Sequence, residues 1–232
     1  MIKLVLTSAA ALGFTAIAAS ADTVTFTDSF GPSLTEFAST ADTSVNFTGT
    51  PVNASALELG KFDGSLGTLD SVLVTLTGSF TSSGAIDNNA PNAQTANATE
   101  EVTFSFSSDL FTGPIFGASD STGFQSFAAG VGGTAVSLAG SESQNVTPAA
   151  LAGFVGTAGD TFEIDFATVV STTFQGGGGN LAFDVETNGT VAASVLYDYT
   201  AAPVSAVPLP AGGVLLLTGF GVFGVLRRRK RA

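Results

Sequence analysis

The chain has 232 residues, with 19 acidic against 7 basic side chains, no histidine and no cysteine. That composition excludes disulfides, a Ser-His-Asp triad, a Cys-His pair and the usual ligand sets of zinc, haem and iron–sulfur centres. All nineteen acids fall between Asp22 and Asp198, where Lys61 is the only base; this region carries a net charge of −18 and repels nucleic-acid phosphates and anionic lipid headgroups.

Residues 1–21 read as a secretory signal peptide. Lys3 supplies a thin positive region, an apolar run follows to Ala19, and Ala19 and Ala21 place small side chains for signal peptidase before Asp22. An uncleaved N-terminal anchor is the alternative. The exported remainder is long enough for one domain with its own core, residues 22–200.

Strands dominate that domain. Val72, Val74, Leu76 and Phe80 alternate with Ser71, Thr75, Thr77 and Ser79. Val102, Phe104 and Phe106 form a second such face, and Phe162, Ile164 and Phe166 a third. Leu181, Phe183 and Val185 alternate with Asp184 and Glu186, and Val191, Ala193, Val195, Tyr197 and Tyr199 share one parity. Period-two alternation marks strands with one buried face. Residues 23–28, 44–48 and 56–62 are earlier candidates. Seventeen of the twenty phenylalanines lie in the domain and are expected to fill the space between two sheets.

The joints are expected where small and polar residues collect. Residues 81–99 read as a long exposed loop. Residues 117–147 are poorly patterned and would hold two weak strands or be partly irregular. Residues 148–154 suggest one or two helical turns, with Thr147 as cap and Pro148 at the first helical position. Residues 175–180 predict a tight turn; their glycines precede a strand, so they are no phosphate cradle. Asn188-Gly189 is the best hairpin signal in the chain. Together these predict an all-β antiparallel β-sandwich with jelly-roll-like connections.

Residues 201–206 form a stalk, and then the composition changes. Val207, Pro208, Leu209, Pro210 and Ala211 open an uncharged apolar run, residues 211–226, and Arg227, Arg228, Arg229, Lys230 and Arg231 close it. As a helix the run would be about 24 Å long at ~1.5 Å per residue, a short transmembrane span that local thinning of the bilayer accommodates. The basic cluster would stay cytoplasmic and leave the domain outside. A buried core helix with a solvated basic end is the bland alternative.

The tail resembles the PEP-CTERM family of sorting signals, in the variant written Val-Pro-Leu-Pro-Ala. The resemblance covers residues 207–232. It implies an exosortase, a membrane-embedded cysteine protease, that cuts near the motif and passes the protein to the surface. The glutamate of the main Pro-Glu-Pro pattern is missing, which bears on which sorting enzyme reads the tail. Residues 59–72 (Leu-Gly-Lys-Phe-Asp-Gly-Ser-Leu-Gly-Thr-Leu-Asp-Ser-Val) resemble the signature of choice-of-anchor E domains, and residues 151–157 and 197–199 are also similar to that family. This implies a bacterial surface module with an interchangeable anchor and no assigned activity.

The function expected is that of a non-catalytic exported surface or extracellular-matrix protein, held first in the inner membrane and then released to the surface. Its partners would be signal peptidase, the sorting protease, the membrane through residues 211–226 and a surface polysaccharide, with no nucleic acid. The alternative is a carbohydrate-binding or adhesive module, with Tyr197 and Tyr199 the only tyrosines and their parity pointing inward. A two-carboxylate glycosidase comes third, on Glu100-Glu101 or Glu163 with Asp165. No cofactor is expected; calcium between Asp63 and Asp70 competes with a turn-forming role for Asp63-Gly64. Five Asn-x-Ser/Thr sequons, at Asn46, Asn53, Asn97, Asn145 and Asn188, read as by-products of an Asn- and Thr-rich chain.

Overall fold

A computed structural model describes residues 21–40, 46–48, 55–130, 133–177 and 180–203. Residues Ala19–Ala201 group into one compact unit. Its strands, in chain order, are β1 (Ala21–Thr40), β2 (Asn46–Thr48), β3 (Ser55–Gly60), β4 (Phe62–Asp63), β5 (Gly67–Asn88) and β6 (Gln94–Ser107). There follow β7 (Ile115–Ser121), β8 (Gln125–Phe127), β9 (Thr134–Val146), β10 (Val155–Gly156), β11 (Thr161–Gly176) and β12 (Leu181–Ala201). Among the described residues the one helical element is a single 3-10 turn, Ala152–Phe154, inside the stretch where one or two turns are expected but preceded by Leu151 rather than Thr147 at its cap.

Two antiparallel sheets face each other in a sandwich-like arrangement. The first has the order β1–β12–β5–β9. In the second, β11 pairs with β2 and β3 on one side and β6 on the other, and β6 pairs with β7 and β8. A short parallel pair, β4 with β10, stands beside them. Successive long strands cross from one sheet to the other, except that β6 returns as β7 in the same sheet.

Alternation puts the expected apolar faces inside. Val72, Val74, Leu76, Val102, Phe104, Ile164 and Val195 are all fully buried. The sheets approach closely because small residues make room: a Cβ on Gly78 of β5 would strike the Phe104 ring of β6 in the opposite sheet. At the far end Phe174 of β11 packs on Phe183 of β12 with ring centroids 6.0 Å apart.

Two loop expectations are corrected. Residues 81–99 are mostly strand, because β5 runs to Asn88 and β6 starts at Gln94. Ile86, Ala96 and Ala98 are buried there, in a second and smaller core. Asn188-Gly189 is no hairpin but the middle of β12. From Leu181 to Asp198 β12 pairs in continuous register with β5, Asn188 opposite Thr81 and Gly189 opposite Phe80, so the chain cannot fold back there; the register shifts between Asp198 and Tyr199, near the strand's end. Beside Gly189 it is β1 that is irregular, its register shifting between Phe30 and Ser33. Gly31 adopts φ 122°, and a Cβ there would come within 2.7 Å of the Gly189 carbonyl oxygen. The weakly patterned stretch 117–147 does supply strands, chiefly β9.

Candidate functional site

Of the residues that the sequence assigns to processing, Ala21 is described; Ala19, the motif at 207–211, the apolar run to 226 and the basic residues 227–231 lie outside the described residues. Ala21 opens β1 opposite Thr200, and Ala201 closes β12 opposite Gly67. β12 therefore takes in the first residue assigned to the stalk. Among the described residues no helix is long and apolar enough to cross a membrane.

The end of the sandwich where Ala21 and Ala201 emerge is built by the turns around β4 and β10. The Lys61 N–H donates to the Asp160 carbonyl at 2.8 Å, and the Gly64 N–H to the Gly156 carbonyl at 3.1 Å. Asp63 forms the turn that its Asp-Gly pair predicts: the Ser65 N–H donates to its Oδ1 at 2.9 Å and the Leu66 N–H to its carbonyl at 3.0 Å. Asp70 accepts from Thr200 Oγ1 at 2.7 Å. The Thr157 N–H and hydroxyl both donate to Asp160 Oδ2, at 2.7 and 3.0 Å, and with Lys61 nearby they hold that carboxyl below its ordinary range. Among the described residues no three metal-ligating side chains gather round one point.

A second constellation was not foreseen. Each of the four central strands carries one buried polar residue at the same level: Ser82 on β5, Glu100 on β6, Thr172 on β11 and Thr187 on β12. Ser82 is directly opposite Thr187, and Glu100 opposite Thr172. The Ser82 hydroxyl donates to Glu100 Oε1 at 2.7 Å and the Thr187 hydroxyl to the same oxygen at 2.6 Å, which ties the two sheets together. Glu100 Oε2 is buried without a hydrogen-bond partner. The layer separates the large core from the smaller one on every strand it crosses. A signal was present in the sequence: Glu100 has the parity of Val102, Phe104 and Phe106, the buried face.

The remaining candidates sort plainly. Tyr197 is fully buried and Tyr199 nearly so, both turned inward. The Tyr197 hydroxyl donates to the Gly60 carbonyl at 2.9 Å, and the Tyr199 hydroxyl to Asp22 Oδ2 at 3.3 Å. Neither offers a ring face to a sugar. Glu100 and Glu101 point to opposite faces, one buried and one exposed, as neighbours on a strand must. Glu163 and Asp165 are both exposed on one face of β11, with Glu163 opposite Glu58 of β3. A shallow trough of about 300 Å³ crosses β1, β12 and β5, lined by Thr27, Ser29, Thr75, Thr77, Ala192 and Ser194 among others. Asp28 is the one charged side chain among these short hydroxyls and small residues.

No family model and no curated protein matches the chain. Among solved structures it is similar to chains from infectious bursal disease virus. The Gt-strain structure is 10% identical over 92% of this chain and 52% of that one, with a TM-score of 0.13. The T=1 particles derived from the virus are 11% identical over 81% and 48%, with a TM-score of 0.18. The VP2 subviral particle is 11% identical over 85% and 46%, with a TM-score of 0.16. The chain spans about half the length of these solved chains. Similarity at this TM-score carries no argument about function.

Proposed function

We propose that this chain is a non-catalytic exported surface or extracellular-matrix protein of the PEP-CTERM type, made of one choice-of-anchor E-like domain and a C-terminal sorting signal. The domain is read as a jelly roll, because the alternation of long strands between the two sheets, with one return at β6–β7, is the winding of that fold. The observation that carries the reading is the order of the tail: the Val207–Ala211 motif, sixteen uncharged residues to Leu226, then five basic residues. Signal peptidase would release Asp22 as the new N-terminus. An exosortase-type protease would cut at the motif, and Arg227–Arg231 would hold the precursor in the inner membrane with the domain outside. The glycan-binding alternative loses its two aromatic candidates, since Tyr197 and Tyr199 are core residues.

The test is the intact mass and fractionation of the mature protein from its native host. A product that begins at Asp22, ends within 207–211 and is found at the surface or in the medium is expected. A product that keeps residues 227–231 and stays in the inner membrane would overturn the sorting reading.

A further inference from the structure

One level of the sandwich interrupts the apolar interior on every central strand. Ser82, Glu100, Thr172 and Thr187 are buried there, and Asp120 of β7 stands directly opposite Glu100. The near core, on the side where Ala21 and Ala201 emerge, begins with Phe80 and Val102. The far core, on the other side, begins with Ala98, Phe174 and Val185. The two cores are separate clusters. Among the described residues twenty-three buried apolar side chains make up the near one and nine the far one, so the far half is the weaker. Strand pairing and the Ser82 and Thr187 hydroxyls on Glu100 Oε1 hold the level between them. The register of β1 shifts close to this level, between Phe30 and Ser33 and beside Gly189.

Opening half of an ordinary sandwich bares the apolar side chains of the half that stays closed. Here the surface left behind is the polar layer. Glu100 Oε2, buried without a hydrogen-bond partner, gains water when the far half opens. The boundary therefore costs little to wet, and cooperative coupling across it is weak. Beyond it, Asn88 binds the far half to itself. Its side-chain amide donates to the Asn92 and Phe127 carbonyls at 3.0 and 2.8 Å, and its Oδ1 accepts the Ala90 N–H at 2.9 Å. We propose that the polar layer is a hinge level. The far segments, residues 84–88, 94–98, 174–176 and 181–185, open and close as one unit while the near half stays folded around both chain ends. Opening bares the inner faces of Phe174 and Phe183 and leaves the near core sealed under the polar residues.

The experiment is native-state amide hydrogen exchange of the full chain in a non-ionic detergent, over a series of low urea concentrations and read on peptic fragments. In the wild type the segments 84–88, 94–98 and 181–185 are expected to share one opening, at least about tenfold more populated than that of residues 72–80, 102–106 and 191–197. Its dependence on urea should be shallower, because less surface is exposed. Ile164→Val trims the near core, and its contacts persist when only the far half opens. It is expected to speed exchange of the near segments about two- to tenfold and to leave the far segments unchanged. Replacing the layer by apolar residues, with Ser82→Ala, Thr187→Val and Glu100→Leu together, gives the opened form an apolar surface to wet. That variant is expected to close the gap between far and near segments. Equal exchange and equal urea dependence in the two halves of the wild type would overturn the inference without need of any variant. So would a graded fraying along each far strand, equal acceleration of both halves by Ile164→Val, or an unchanged gap in the triple variant.

Discussion

Tyr197 shows how one side chain joins several parts of the core. Its ring meets Phe26 of β1, Phe62 of β4 and Phe154 of the 3-10 turn, with centroids 6.1, 5.9 and 6.4 Å away. Its hydroxyl, buried with the ring, finds the Gly60 carbonyl. A buried phenol resists ionisation, so burial pushes its pKa above the ordinary value of 10.0. Tyr199 shifts the same way, through burial first and the Asp22 carboxylate second. The sign follows from linkage. Below about pH 10 both folded and unfolded chains keep these protons and the stabilisation is whole; as pH rises further the unfolded chain releases them first and stability falls toward the folded pKa. Urea unfolding is therefore expected to hold its midpoint from about pH 7 to about pH 9 and to drop above about pH 10. Tyr197→Phe should cost about 1 kcal/mol near neutral pH, from the lost hydrogen bond, and make the alkaline drop shallower. An equally steep drop in Tyr197→Phe would show that another group titrates. The inward turn of both tyrosines was legible from their shared parity with Val191 and Val195. The partner of each hydroxyl was not, because Gly60 lies on a strand that sequence order places far away.

At the scale of elements, the open edges of the two sheets are closed by aspartates. Asp28 of β1 accepts the Glu58 N–H of β3 at 2.9 Å, and Asp120 of β7 accepts the Ala139 N–H of β9 at 3.0 Å. In each case an edge strand of one sheet satisfies a backbone donor on the edge strand of the other. Such donors would otherwise offer a template for strand addition. Asp120→Ala is expected to lower stability by about 1–2 kcal/mol, as loss of a charge-assisted hydrogen bond does, and to speed amide exchange at Ala139. Unchanged exchange at Ala139 would show that the clasp is not formed in solution. Asp120 carries the parity of its buried neighbours Phe116 and Ala118, so its inward turn was readable, whereas Asp28 shares its parity with Phe26, which is itself exposed. The same parity argument exposes why the hairpin expectation failed. Residues 181 to 199 keep one parity throughout, and Thr187 and Gly189 fit that single face; the local preference of Asn-Gly for a turn lost to continuous pairing with β5. Residues 81–99 were misread because their small side chains give no alternation of size, although Ser82, Ile86, Ala96 and Ala98 are all buried.

For the whole molecule, the polar layer of Ser82, Glu100, Thr172 and Thr187 divides the interior into two apolar cores. A carboxyl between two sheets, with both hydroxyls on one oxygen, fixes how the sheets face each other, since sliding either sheet breaks both bonds. Ser82→Ala with Thr187→Val strips Glu100 Oε1 of both its donors and is expected to cost about 1–3 kcal/mol, the penalty for leaving a buried polar group unsatisfied. Adding Glu100→Leu to that pair should recover most of the loss in chemical denaturation, because an apolar layer of similar volume needs no partner. A triple variant no more stable than the double would mean that Glu100 contributes nothing through these two hydroxyls. Around this interior the surface is strongly acidic, with Lys61 the one base of the domain. Such a surface favours solubility and opposes approach to anionic membranes and nucleic acids.

The sequence by itself determined the class of structure and the inward set of side chains on each strong strand. These are local properties, carried by period-two alternation and by composition. Tertiary structure alone decided the order of strands, the joining of residues 181–201 into one strand, the second core and the convergence of four polar residues into one layer. Those depend on which strands become neighbours, a choice made by burial and pairing across more than a hundred residues of chain, and no local pattern encodes it.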